Sequence, residues 1–293
     1  VIEADRLTTQ VGGQIEFMSG ALREYQAEPT TGSDFLVATR PPGLHYDYDV
    51  DSTMVAGFYD FEYAVNDISR LIHSLRLEHL AYDYENKHLD GNTKDDGTEC
   101  GFGGCLYTRP PSGDQSFTNV GARIGYERDI SLGLAYASLS RGFRPPQVTE
   151  LYRLRGGQTL TDLDSEALTS VEVGLKNDRV SVAIFSERTK NLILRDADAY
   201  NVSDGRTSSQ GIELSVSVPL GAHELSFAST FAVHKYDFTR DVDGRESILK
   251  GNDVDSAPRF FGQASWRQQI SSALSHELEI NKVGSYYLDA ANT

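Results

Sequence analysis

The chain has 293 residues, 43 acidic against 27 basic side chains, and a formal net charge of −16. That balance argues against nucleic acid, whose binders need a basic patch, and against docking on anionic lipid headgroups. No run approaches the roughly 18 apolar residues of a membrane-crossing helix; a barrel strand, with only every second residue apolar, is still allowed.

The opening Val1-Ile2-Glu3-Ala4-Asp5 has neither the basic nor the apolar stretch of a signal peptide, so the start is expected to be processed or cut from something longer. A short strand is expected within residues 1–10, followed by strands over 14–26, 53–66 and 68–84, the last two joined by a tight turn at Asn66-Asp67. In 53–66, Val55, Tyr59, Phe61, Tyr63 and Val65 face one way while Asp60 and Glu62 face the other. The polar stretch 27–50 reads as a long loop carrying Tyr46 and Tyr48. A second long loop, 84–116, contains Cys100-Gly101-Phe102-Gly103-Gly104-Cys105. Two thiols this close, with glycines between them, are expected to close a disulfide ring in an oxidising compartment. A ring of about six residues contributes on the order of 2 kcal/mol. Free thiols are the alternative, and a zinc site lacks a second ligand pair at finger spacing.

Strands over 116–127 and 130–142 meet at Arg128-Asp129, and the loop 141–166 follows. Strands 166–177 and 179–194 turn at Asn177-Asp178-Arg179, ahead of a loop at 196–207. Strands 207–219 and 223–237 turn at Leu220-Gly221-Ala222, ahead of a loop at 238–257 and strands 258–269 and 273–288. Alternation is clearest where Ile212, Leu214, Val216 and Val218 oppose Gly211, Glu213, Ser215 and Ser217. Val171, Val173 and Leu175 likewise oppose Ser170, Glu172, Gly174 and Lys176.

These about eleven strands exceed the usual five or six residues, and their connections alternate between tight turns and long polar loops. Tyr82, Tyr84, Tyr126, Tyr236, Tyr286 and Tyr287 lie near run ends, where an interfacial aromatic girdle belongs. The pattern predicts one domain, 1–293: an all-β, antiparallel, up-and-down transmembrane β-barrel. Two other readings fit the alternation. One is a small passive porin-like barrel of about twelve strands. The other is a secreted soluble β-sandwich adhesin, whose apolar faces would pack on one another.

Ser138 to Lys176 carries Ser140-Arg141-Gly142-Phe143-Arg144-Pro145-Pro146, then Glu150-Leu151-Tyr152, then Leu163, Glu166, Ser170, Glu172 and Gly174. Further on come Gly211-Ile212-Glu213, Gly251-Asn252 and Ala257-Pro258. This series resembles the strand ends and strand starts of the TonB-dependent outer-membrane receptors. The resemblance implies a partial barrel, about 11–12 strands of a presumed 22, open as given. It implies a Gram-negative outer-membrane location, with the long loops extracellular and the tight turns periplasmic. It also implies energy-dependent uptake of a scarce nutrient such as a ferric siderophore. TonB would act through an N-terminal plug region that this sequence does not contain. Family-motif positions are Gly142, Phe143, Arg144, Pro145, Glu150, Leu151, Glu166 and Gly211.

Glu172, Lys176 and Glu213 are expected to face the lumen. Ligand contacts are expected from extracellular loops, where Tyr46, Tyr48, Tyr152, Arg153 and Arg155 offer aromatic faces and guanidinium forks to a small-molecule or metal-chelate ligand. No catalytic motif, cofactor motif or metal-ligand set stands out. Asp241-Val242-Asp243-Gly244 lacks the remaining ligands of a calcium loop. The partners expected are thus TonB, a chelate-type ligand and outer-membrane lipid, without nucleic acid.

Overall fold

The computed structural model describes residues 2–242 and 246–293. Val1 and the Asp243-Gly244 half of the calcium-like stretch lie outside the described residues. Twelve strands form one sheet in the order β1-β2-β3-β4-β5-β6-β7-β8-β9-β10-β13-β14, each antiparallel to its sequence neighbour in that order. The early strands are β1 (Ile2–Ala4), β2 (Leu7–Gln26), β3 (Gly43–Asn66), β4 (Ser69–Asn86) and β5 (Gly113–Ile130). Then come β6 (Gly133–Arg144), β7 (Glu166–Lys176), β8 (Val180–Arg195), β9 (Asn201–Leu220) and β10 (His223–Tyr236). A separate hairpin, β11 (Arg240–Val242) with β12 (Glu246–Ile248), interrupts the order before β13 (Phe260–Ser271) and β14 (Leu274–Val283). Among the described residues β14 does not pair back to β1 or β2, so the sheet is open, a partial barrel.

In-register pairing carries each face across the sheet, because residues directly opposite one another point the same way. One row runs Leu71, Tyr126, Ala137, Val173, Ile184, Ile212, Phe231, Phe260. A row of the other face runs Ser74, Arg123, Ser140, Ser170, Glu187, Ser209, His234. Among the described residues no second sheet lies against the apolar face: Val173 is 55% exposed and Ile184 62%. Packed sandwich faces would be buried, so the soluble β-sandwich reading fails here. Along β10 the apolar set Leu225 to Val233 extends about 27 Å at 3.4 Å per residue. With a strand tilt of about 40° it rises roughly 21 Å, close to the apolar band of an outer-membrane barrel.

On the polar face, two motif glycines have a steric reason. Gly174 pairs with Tyr136 and Gly211 with Phe185. A Cβ on Gly174 would lie 2.5 Å from the Tyr136 ring, and one on Gly211 would lie 2.6 Å from Phe185. Each aromatic ring lies across the glycine of the neighbouring strand.

Several boundaries differ from the sequence reading. β3 begins at Gly43 rather than near 53, so Tyr46 and Tyr48 stand on a strand, not a loop. Tyr-Asp-Tyr-Asp-Val-Asp over 46–51 is itself a period-two pattern, masked by its polarity. The turn expected at Arg128-Asp129 falls at 131–132, because β5 continues to Ile130. β9 starts at Asn201, which shortens the preceding loop to 196–200. Tyr82, Tyr84 and Tyr236 are buried rather than forming a girdle. β6 stops at Arg144, just before the prolines that cannot donate ladder hydrogen bonds.

The close Tyr136–Gly174 contact gives a test. Gly174→Ala should cost about 1–3 kcal/mol by overpacking, read as a lower temperature for conversion of the compact band on semi-native gels. Tyr136→Ala combined with it should recover part of that loss; additive losses would show that the two positions do not share one space.

Candidate functional site

The sheet's long-loop end is covered on the polar face. Segment 87–112 and the loop 145–165, which includes α2 (Val148–Tyr152), pack there against the upper parts of β3 and β4. Their core holds Tyr46, Tyr48, Val50, Tyr82, Tyr84, Cys100, Cys105, Tyr107, Leu151 and Tyr152. Tyr84 and Tyr152 stack with ring centres 4.1 Å apart, and Tyr48 lies 5.2 Å from Tyr84. Burial pushes the Tyr84 and Tyr152 phenols above their ordinary range. The Tyr46 hydroxyl donates to the Leu154 carbonyl at 2.6 Å, tying β3 to the 145–165 loop.

Two polar devices fix these segments. Arg109 is fully buried and meets no carboxylate among the described residues. Its guanidinium donates to the carbonyls of Leu89, Thr93 (2.9 Å) and Lys94 (3.3 Å) and to Thr93 Oγ1 (2.8 Å), while its Cζ lies 5.4 Å from the Tyr107 ring centre. One side chain thereby satisfies several carbonyls that the folded segment removes from water. The second device unites motif residues. Arg144 donates to Glu150 (3.0 and 3.1 Å) and to Glu166 (2.8 and 2.7 Å). Glu150 also accepts the Gln147 amide at 2.7 Å, and Glu166 the Ile193 amide at 2.9 Å. Arg144 therefore clamps the start of α2 to the start of β7, and Leu151 is driven into the core at 1% exposure. Phe143 lies against Gly121. Nothing lies within reach of a Cβ at Gly142, and the structure gives no reason for that glycine.

Cys100 and Cys105 are joined as a disulfide. The ring between them sits on α1 (Asp34–Thr39), where the Gly101 amide donates to the Ala38 carbonyl at 3.2 Å.

Two cavities open beside this core. A cleft of ≈ 70 Å³ is lined by Glu24, Arg40, His45, Tyr46, Leu106, Tyr107, Arg153 and Arg155. A larger one of ≈ 500 Å³ includes Met18, Leu22, Tyr48, Val50, Tyr82, Val148 and Arg153. Arg153 borders both. Its guanidinium donates to Glu24 at 2.6 Å and lies 5.9 Å from the Tyr46 ring centre. Arg40 meets Glu24 at 3.3 Å and His45 Nδ1 lies 3.6 Å from it. Burial alone would raise the Glu24 carboxyl, but the Arg153 hydrogen bond and charge, with His45 and Arg40, hold it below its ordinary value. Burial pushes Tyr46 up to about 12. The Arg155 side chain is exposed, and no ion pair or hydrogen bond engages its guanidinium among the described residues. Three guanidiniums against one carboxylate make this cleft cationic in an acidic chain.

Of the five residues expected to touch ligand, Tyr46, Arg153 and Arg155 meet at the cleft, and Tyr48 lines the larger cavity. Tyr152 borders neither; its ring is committed to Tyr84. Glu172, Lys176 and Glu213 lie on the polar sheet face, away from the cleft; the Lys176 ammonium sits 5.7 Å from the Tyr136 ring centre. Sequence reasoning missed Glu24, Arg40, His45 and Arg109, which carry no motif.

The family model described as TonB dependent receptor-like, beta-barrel matches residues 4–293. The fold is similar to the ferric yersiniabactin uptake receptor FyuA from Yersinia pestis, with TM-score 0.70, 17% identity, and coverage of 100% of this chain and 42% of that one. It is also similar to the ferric-catecholate import receptor Fiu from K12 E. coli (TM-score 0.67, 14% identity, 97% and 43% covered). The siderophore receptor PiuA from Acinetobacter baumannii matches with TM-score 0.66, 14% identity, and coverage of 100% and 45%. The chain spans less than half the length of each of these structures. No curated protein matches it.

Glu24 supplies a pH test. Its carboxyl is held low in the folded chain, so its stabilising effect is complete above the ordinary carboxylate value of about 4.3 and fades as pH falls through its own lower value. Amide-exchange protection of 145–165 should be level from pH 7 to 5 and drop below about pH 4. Glu24→Gln should lower protection at pH 7 and remove the Glu24 part of the acid step. An unchanged acid step in that variant would assign the titration to other carboxylates.

Proposed function

The chain belongs to the TonB-dependent receptor family, in its β-barrel region, and from that premise we propose that the parent protein takes up an anionic metal chelate, a ferric siderophore, across the Gram-negative outer membrane. Receptors of this family are outer-membrane transport proteins, and these residues provide the wall and mouth of one.

The observation that carries the ligand class is the cleft of Arg40, Arg153 and Arg155 beside aromatic rings and an apolar cavity. Guanidinium forks suit carboxylate, hydroxamate or catecholate oxygens of a chelate. The neighbouring cavity suits the chelate's carbon skeleton. Glu24 holds Arg153 in place before ligand arrives, so the charge is oriented in advance. Arg155, with no carboxylate paired to it among the described residues, is the residue most available to an incoming anion. Transport energy comes through TonB, engaged outside residues 1–293. The charged polar face, with Glu172, Lys176 and Glu213, suits contact with a polar plug.

The test uses the full-length parent in detergent and in cells. Titration with a panel of ferric chelates should find one bound tightly, with affinity reduced about tenfold by Arg155→Ala and the folded gel band unchanged. Uptake of that chelate should stop on addition of a protonophore. Uptake indifferent to the protonophore would support the passive porin reading, and unchanged affinity in Arg155→Ala would remove the cleft from the binding site.

A further inference from the structure

At the short-turn end of the apolar face, three polar side chains stand in one row across adjacent strands. His223 of β10 pairs with Gln268 of β13, which pairs with His276 of β14. The next row towards the long loops is Leu225, Trp266 and Leu278, so the polar row borders the apolar band. Trp266 is the only tryptophan of the chain. Its indole stacks beside His223, ring centres 5.9 Å apart, and meets His276 edge-on at 5.0 Å.

The hydrogen bond between them sets the chemistry. Trp266 Nε1 donates to His223 Nδ1 at 3.3 Å. An indole N–H can only donate, so Nδ1 is the acceptor and the neutral imidazole carries its proton on Nε2. His223 therefore keeps its Nε2–H as a donor. The Gln268 amide makes no hydrogen bond among the described residues. Two strand spacings of about 4.8 Å put the two imidazoles about 10 Å apart, with the Gln268 amide between them. That span admits one phosphodiester.

The nearby carboxylates stand on the other face of the sheet. Glu224 and Glu277 flank Arg267 on the opposite face, with Glu277 2.9 Å from its guanidinium. Glu279 pairs with Ser265 and shares that face. The outward row thus presents donors without a carboxylate, immediately below an apolar surface that acyl chains cover.

We propose that His223, Gln268, His276 and Trp266 form a binding site for the phosphodiester headgroup of a glycerophospholipid in the periplasmic leaflet. Trp266 packs at the glycerol level, and the imidazoles and amide donate to the phosphate oxygens. The occupant is a lipid rather than free phosphate, because the donors adjoin the apolar band instead of closing around an ion.

Native mass spectrometry of the full-length parent, titrated with short-chain phosphatidylglycerol, tests this. The parent should hold the lipid about tenfold more tightly than the variant His223→Ala/His276→Ala. Phosphate-free monogalactosyl diacylglycerol should bind the two proteins equally, and inorganic phosphate should not displace the phospholipid. The single variant His276→Ala repeats the titration with less risk to the fold. Equal phosphatidylglycerol affinity in parent and variants would overturn the proposal, and displacement by inorganic phosphate would show a free-anion site instead.

Discussion

Backbone hydrogen bonding across the sheet is the constraint on which everything else rests. Lipid offers no partner for a peptide N–H or C=O, so a membrane-crossing strand must satisfy every such group sideways, from its neighbours. From β2 to β14 the main sheet meets that demand by simple antiparallel succession, with bulges confined to a few positions. Because the pairing is in register, the side-chain alternation of one strand becomes a property of the whole surface. A single-residue slip would exchange the apolar and polar faces. The aromatic rings lying over Gly174 and Gly211 oppose such a slip, since each needs an empty Cβ position directly across from it.

The same strands continue beyond the bilayer, and there the physics changes. A tilted strand needs about 9–11 residues to cross, while β3 has 24. Above the membrane its inward side chains are tyrosines that pack under the long loops, and its outward ones are aspartates in water. The loops are ordered by buried aromatic contact, by the carbonyl-satisfying Arg109 and by the Arg144 clamp. Rigid walls let Arg40, Arg153 and Arg155 stand together against Glu24 without collapsing onto other acids. At the short-turn end of β10, β13 and β14 the outward face carries histidines and tryptophan instead of acids.

Much of the fold was legible in the sequence wherever alternation was strongly apolar. The pair read at 166–177 and 179–194 is β7 and β8 within a residue at each end. The reading failed where one face is acidic: residues 46–51 alternate as strictly as any strand but look like a loop to a hydrophobicity criterion. The motif around Phe143-Arg144-Pro145 was visible, yet its physical content, one guanidinium holding two carboxylates, needed coordinates. The cleft was only half legible. Arg153 and Arg155 drew notice as loop cations, whereas Glu24 stands 129 residues from Arg153 and no local pattern joins them. Tyr152 illustrates the converse: a loop tyrosine beside two arginines resembles a ligand contact, but stacking on Tyr84 claims it.

The central claim is that the apolar face lies in lipid with the long-loop end outside the cell. Labelling of the parent in intact cells by a membrane-impermeant maleimide tests it most directly, since Cys100 and Cys105 are closed as a disulfide. A cysteine at exposed Leu160, in the 145–165 loop, should react in intact cells. One at Asp178, in the turn between β7 and β8, should react only after the outer membrane is opened. The reverse pattern, or equal labelling of both positions in intact cells, would contradict the orientation and the assignment of the cleft to the outer surface.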